Sequence, residues 1–335
     1  MTINERIEAF VALGDHLSKL DAETREELHL KAGSENPWFT PANVDAAING
    51  IAYFLKSETL KSWVSQYEIK DHNKVVGVVM AGNIPLVGFH DMLCVLISGN
   101  TLKVKLSSKD SALMQYVMDQ LKSINKAFED KLVKADQLKD IDAIIATGSD
   151  NSSRYFDHYF SKYPHIIRKN RTSVAVIDKD LKNKDLVPLG HDIFQYYGLG
   201  CRNVSKLFVP EGYDFHPFYQ AMENFDEVKQ HHKYNNNYDY NKSIYLVNRQ
   251  KHLDNGFLIM KPDEALVSPI SVLFYEEYAN QEELKKKIES ASEKIQCIVS
   301  YQGNYEGSQP FGQAQLPQVD DYADGVDTMK FLTSL

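Results

Sequence analysis

The stretch YYGLGCRNVSKLFVP, residues 196–210, sets one thiol between flexible glycines and a run that reads as a β-strand. Cys201 follows Gly198 and Gly200 and precedes Arg202 and Asn203. Glycine lets a substrate approach the backbone closely and exposes peptide N–H groups. A neighbouring cation favours the thiolate, which is the reactive form. The residues by themselves allow two readings, a small inert core residue or a nucleophile. The other two cysteines stand in different surroundings. Cys94 lies in the apolar run DMLCVLIS and Cys297 in KIQCIVSY, and both read as inert core residues.

Two further segments carry polar groups where a nucleotide could sit. ATGSDNSSRYF reads as a strand end, a turn of Thr147, Gly148 and Ser149, and a helix start. Amides at a helix N-terminus can hold a phosphate; an ordinary helix cap is the alternative. GNTLKVKLSSKD ends a strand with Lys103, Lys105 and Lys109 close together. Such lysines can reach a ribose or a phosphate, or can simply be solvated. The GxGxxG fingerprint of common dinucleotide sites is absent. His231 and His232 are adjacent, with no carboxylate or cysteine at ligand spacing, so no metal site is expected. The surrounding KQHHKYNNNYDYNKS reads as a solvated loop.

The elements that must position these groups follow from periodicity. Residues 1 to about 65 read as helices, with Ile7, Phe10, Val11 and Leu17 on one face. Thr40-Pro41 supplies a cap followed by proline at the first helical position. KVVGVVMAG is a continuous valine-rich run, as expected of a strand buried on both faces. An apolar helix to about Ser98, the strand TLKVKL, a capped helix after SSKD, the strand IDAIIATGS and a helix over DNSSRYFDHYFSKY come next. Strand–helix alternation predicts a parallel α/β sheet. Beyond TSVAVID, the runs NVSKLFVP, KSIYLVN, ISVLFYEEY and QCIVSYQ read as strands, with a helix over NQEELKKKIESAS. The expected organisation is a helical and nucleotide-binding domain over 1–177 and a thiol-bearing α/β domain over 178–310. Residues 311–335 are expected to pack back or to lie at an oligomer interface.

A chain of 335 residues suits two packed lobes rather than one core. Its 37 basic and 46 acidic side chains leave a net charge of -9, which argues against a general binder of nucleic acid or membrane surfaces. Three widely spaced cysteines suggest neither a disulfide framework nor a zinc motif, so a reducing, cytoplasmic setting is expected. The N-terminal MTINERIEAFVALGDHL is an amphipathic helix with acidic residues rather than a signal peptide. The apolar region from Val75 to Gly99 carries Asn83, His90 and Asp91 and reads as core rather than as a membrane span.

Taken in order, these segments resemble the aldehyde dehydrogenase superfamily. GLGCRNVSKLFV is similar to its Gly-x-x-Cys segment and following strand. VVGVVMAGNIPL resembles the strand and loop with the oxyanion asparagine, here Asn83. GNTLKVKLSS resembles the strand ending in a cofactor lysine, here Lys105. ATGS resembles the phosphate turn, and LVSPISVL the Gly-Pro-Val segment. ENPWFTPANV, GLGCRNVSKLFVP and the ending PFGQAQLPQVDDYADGVDTMKFL narrow the resemblance to the acyl-CoA reductase branch. That branch includes the reductase subunit of the fatty-acid reductase of bacterial luminescence.

The resemblance implies a Rossmann-like nucleotide-binding domain and a second α/β catalytic domain. It also implies an NAD(P)-dependent acylating aldehyde dehydrogenase, with Cys201 as nucleophile and Asn83 at the oxyanion. Cofactor contacts are expected from Lys105, Ser107, Ser108, Thr147, Gly148 and Ser149. Three positions depart from ordinary aldehyde dehydrogenases. The glutamate that activates water falls near Arg168, in RKNRTSVAVI. An arginine cannot accept a proton; it could pair with a CoA phosphate or be a solvated surface residue. The ribose-holding glutamate falls on Ala265, with Glu264 one residue away. An acidic residue expected after the cofactor lysine is replaced by Ser107 to Lys109, which favours NADPH. The expected reaction is reduction of an acyl-CoA to an aldehyde and CoA. The rival readings are a non-acylating aldehyde dehydrogenase and a non-catalytic or structural subunit that binds CoA or nucleotide. A homo-oligomer or an acyl-transfer partner subunit is compatible with this reading.

Overall fold

Helix caps set the first boundaries. The computed structural model describes residues 1–70, 73–148, 156 and 158–335. It opens with α1 (Ile3–Ser18), α2 (Ala22–Glu35), α3 (Pro41–Phe54) and α4 (Ser57–Val64). Thr2 and Glu5 form a capping box on α1. Asp21 accepts the Thr24 N–H at the start of α2. Thr40 accepts the Asn43 N–H ahead of Pro41. Each such cap is worth about 1 kcal/mol. The α1 stripe Phe10, Leu13 and Leu17 is wholly buried and joins Val44, Ile48, Leu60 and Trp63 in one core. Each of these side chains contributes roughly 1.5–3 kcal/mol by leaving water.

The first unit comprises Met1–Asn170 and Gln318–Leu335. Its sheet holds β1 (Val75–Val79), β2 (Thr101–Lys105), β3 (Leu132–Lys134), β4 (Ala143–Thr147) and β5 (His165–Arg168). The order is β3-β2-β1-β4-β5 and every pairing is parallel. Between β1 and β2 runs α5 (Phe89–Ile97), of which every residue but His90 is buried. α6 (Ser111–Ile124) follows β2. From β1 the chain builds outward to β2 and β3 on one side, then returns to place β4 and β5 on the other. Ligands in open α/β sheets bind outside the carboxyl ends of the strands at such a reversal, here β1 and β4. Half of the expected helix over DNSSRYFDHYFSKY lies outside the described residues; Phe156 and His158–Phe160 are helical.

The second unit is Arg171–Pro317. Its sheet holds β6 (Thr172–Val176), β7 (Val204–Pro210), β8 (Leu253–Asp254), β9 (Ile259–Pro262), β10 (Val272–Tyr278), β11 (Ile295–Ser300) and β12 (Gln309–Pro310). The order is β12-β11-β6-β7-β10-β9-β8, parallel except for the β8–β9 pair. β6 lies between β7 and β11, so the division falls ahead of it and not after residue 177. Residues 311–317 go with the second unit. Val319, Met329 and Leu332 join the core of the first.

Two expected elements are corrected. The loop KQHHKYNNNYDYNKS and the strand KSIYLVN together form a 3-10 turn and one long helix, His232–Val247. Its buried face is Tyr234, Tyr238, Asn241 and Tyr245. Spacings of four, three and four residues are helical. Here amphipathic tyrosines and an asparagine carry the period, so the segment looks polar in sequence.

Candidate active site

In the first unit, the loops after β1 and β2 meet at the carboxyl edge of the sheet. β1 leads into Gly82 and the exposed Asn83. A Cβ on Gly82 would stand 2.5 Å from Ser107 Oγ and 2.9 Å from Ser107 Cβ. Only glycine lets the loop after β1 touch the loop after β2 there. Asn36 Nδ2 donates to the Gly82 carbonyl at 3.1 Å and fixes the approach. Beyond Asn83 the chain turns through Leu86, at φ 57°. The Leu86 N–H donates to Asp110 Oδ2 at 2.7 Å. Burial, opposed by that hydrogen bond and helped by the Glu35 carboxylate, pushes Asp110 up to about 8. Glu35 in turn accepts the N–H groups of Ser111 and Ala112 at 2.8 and 2.9 Å, capping α6 from the end of α2.

The cofactor candidates share this edge. Lys105 is the exposed last residue of β2. Ser107 is half-buried and its Oγ accepts the Lys109 N–H at 3.2 Å; Ser108 and Lys109 are exposed. Thr147 ends β4, and Gly148 follows it, both half-buried. Ser149 lies outside the described residues. Two exposed lysines and two serine hydroxyls on the segment Lys105–Lys109 form a donor set whose chemistry fits a phosphate-bearing nucleotide.

Arg168 is different from both readings of it. It ends β5 opposite Thr147, yet its side chain is buried. Nη1 donates to Asp91 Oδ2 at 2.6 Å and Nη2 to Thr328 Oγ1 at 3.0 Å. Burial opposes the charge, but the Asp91 carboxylate outweighs it and holds the guanidinium protonated. Arg168 is thus neither solvated nor presented to a phosphate. It ties β5 to α5 and to the C-terminal helix Thr328–Thr333.

In the second unit, Cys201 sits in the turn that enters β7. It is exposed and not disulfide-bonded. The helix Asn183–Phe194 ends just before Tyr196 and Tyr197, which take φ 53° and 56°, and Gly198 continues at 78°. A left-handed conformation costs each tyrosine roughly 1–2 kcal/mol, so local contacts must hold it. Asn203, 2% exposed, makes many of them. Its Nδ2 donates to the carbonyls of Asp192, Ile193 and Gln195 at 3.1, 3.3 and 2.7 Å. Its Oδ1 accepts the Gly200 N–H at 2.8 Å. The Asn203 N–H donates to the Gly200 carbonyl at 3.0 Å, closing a turn with Cys201 and Arg202 at its tip.

Arg202 Nη1 donates to the Ala314 carbonyl at 3.4 Å. The turn around Ala314 is held by Asp192, whose carboxylate accepts the N–H groups of Gly312 and Ala314 at 2.6 and 2.9 Å. Burial pushes Asp192 up to about 7. Cys94 is buried, and burial pushes its thiol far up. Glu264 and Ala265 are both exposed; the Glu264 carbonyl accepts from buried Lys206, on β7, at 2.8 Å. Lys206, which also pairs with Glu276, was not singled out in the sequence. A lysine inside an apolar strand run was the available signal, since a buried ammonium requires partners.

A five-stranded parallel sheet in one unit, and a thiol on a locked turn in the other, are features of the aldehyde dehydrogenase fold. Solved structures agree. An aldehyde dehydrogenase from Mycobacterium tuberculosis, complexed with NAD+, is 14% identical with a TM-score of 0.67, over 90% of this chain and 73% of that one. The NAD+ complex of an aldehyde dehydrogenase from Bacillus cereus is 14% identical with a TM-score of 0.63, over 90% and 72%. A variant of aldehyde dehydrogenase C from Pseudomonas syringae, complexed with NAD+ and octanal, is 12% identical with a TM-score of 0.67, over 90% and 73%. No curated protein sequence matches. The family model for acyl-CoA reductase (LuxC) matches residues 42–257, and the chain belongs to that family. Among the described residues no helix is long and apolar enough to cross a membrane.

Proposed function

We propose that the protein reduces an acyl-CoA thioester to an aldehyde and CoA, with NADPH as the electron donor and Cys201 as the acyl carrier. The observation that carries this reading is the exposed Cys201 at the tip of the Gly200–Asn203 turn, in a chain of the LuxC acyl-CoA reductase family. Cys201 attacks the thioester carbonyl as a thiolate, a C–S bond forms to the enzyme, and CoA departs as its thiolate. Asn83 is assigned the side-chain donor to the oxyanion and Cys201 the backbone donor, each worth roughly 3 kcal/mol. The nicotinamide cofactor, when bound, supplies the hydride that reduces the acyl carbon. Lys105, Ser107, Ser108, Thr147 and Gly148 are the residues proposed to hold it. Lys105 and Lys109 beside two serines, with no exposed carboxylate among Lys105–Lys109, favour a 2′-phosphate. The octanal held by the Pseudomonas syringae relative is in keeping with an aliphatic acyl group.

The test is intact-mass analysis after mixing with acyl-CoA and no reduced cofactor. One hydroxylamine-sensitive acyl group on Cys201 is expected. It should vanish in Cys201→Ala and persist in Cys94→Ala and Cys297→Ala. Asn83→Ala should slow acylation by about a hundredfold. Labelling that survives in Cys201→Ala would sink the mechanism.

A further inference from the structure

Ser173 is the second residue of β6 and wholly buried. Both of its neighbouring strands are irregular beside it. Along β7 the register passes from Ser173↔Val204 to Val174↔Lys206, which leaves Ser205 as an extra residue. Along β11 it passes from Thr172↔Ile295 to Val174↔Ile298, which leaves an extra residue in the Gln296–Cys297 stretch. A bulge interrupts the ladder and re-aims side chains. The Ser173 hydroxyl takes up the interrupted bonds. It donates to the Cys201 carbonyl at 3.1 Å, accepts the Cys297 N–H at 3.2 Å, and lies 3.0 Å from Cys297 Sγ.

A serine hydroxyl has one hydrogen. With that hydrogen on the Cys201 carbonyl, Cys297 must donate its S–H to Ser173 Oγ. Cys297 is therefore held as a thiol, in keeping with burial pushing it up. The other peptide of Cys201 is fixed as well, because its carbonyl end, at Gly200, accepts the Asn203 N–H at 3.0 Å. Both peptide planes that flank the thiol are thus pinned, one from β6 and one from the turn. We infer that Ser173, seated between two strand bulges with Cys297 as its hydrogen-bond donor, is a positioning residue that sets the direction of the Cys201 thiol.

This inference rests on the reading of Cys201 as the nucleophile, and the test separates the two. Ser173→Ala, Ser173→Thr, Cys297→Ser and Cys297→Val are compared with the parent. Three quantities are measured: amide exchange of residues 199–203, the first-order acylation rate at saturating octanoyl-CoA, and the Kd for octanoyl-CoA. In Ser173→Ala the exchange should speed up and the acylation rate should fall by about tenfold or more, with the Kd unchanged. Ser173→Thr should restore much of the rate. Cys297→Ser keeps a donor and should behave as the parent, whereas Cys297→Val should resemble Ser173→Ala. The cysteine pair decides the matter if the serine variants fail to fold. A folded Ser173→Ala or Cys297→Val protein with parental exchange and rate overturns the positioning role. Faster exchange in a protein whose parent never acylates Cys201 overturns the proposed function and leaves the positioning of the thiol standing.

Discussion

Arg168 and Asp91 are a buried ion pair, with side chains only 8% and 5% exposed. Among the described residues, Asp91 Oδ1 and Arg168 Nε have no hydrogen-bond partner, so the pair is not fully satisfied there. Removing one member leaves an uncompensated charge in the core, whereas removing both is close to neutral. Arg168→Met should lower stability by about 3–5 kcal/mol. Adding Asp91→Leu should recover most of the loss, measured by denaturant unfolding. A single variant as stable as the parent would mean that water reaches the site and solvates Asp91. The same burial removes Arg168 from any role at a CoA phosphate.

At the scale of elements, the loops after β1 and β2 act as one assembly. Gly82 lies against Ser107, Leu86 hangs on Asp110, and Glu35 caps α6. Asp110 titrates near 8 in the folded chain and at an ordinary 3.8 when unfolded. Between those values the folded state holds a proton that the unfolded state has released, so stability falls as pH rises through the window. Asp110→Asn keeps an oxygen for the Leu86 N–H and cannot ionise. It should match the parent melting temperature at pH 4 and exceed it by a few degrees at pH 9. An unchanged difference across that range would place the Asp110 titration below the window.

At the scale of the whole molecule, the fate of an acyl enzyme distinguishes the two aldehyde dehydrogenase classes. Water clears it only where a positioned carboxylate removes a proton. The residue expected at that place is Arg168, which cannot do so and is engaged with Asp91. Aldehyde and NADP⁺ should therefore sustain turnover only when CoA is added, with acyl-CoA and no free acid as product. Lys105→Ala should weaken NADPH more than NADH. Cofactor reduction followed over many turnovers without CoA is the measurement. Stoichiometric free acid in that experiment would assign the protein to the non-acylating class.

Sequence alone determined what depends on neighbours in the chain. The capped helices up to Val64, the buried valines of β1 and the strand after Cys201 are local outcomes of period and cap chemistry, whereas the sequence leaves Cys201 open between core residue and nucleophile and the fold exposes it. The helix His232–Val247 was equally local but was hidden, because its buried face is tyrosine and asparagine. Tertiary structure decided the rest. Arg168 meets Asp91 across 77 residues, and Ser173 meets Cys297 across 124. Whether an arginine is solvated or a serine bonds the carbonyl of Cys201 depends on sheet order, register and bulges. Those are set by burial summed over many distant residues, and no short stretch of sequence carries that sum.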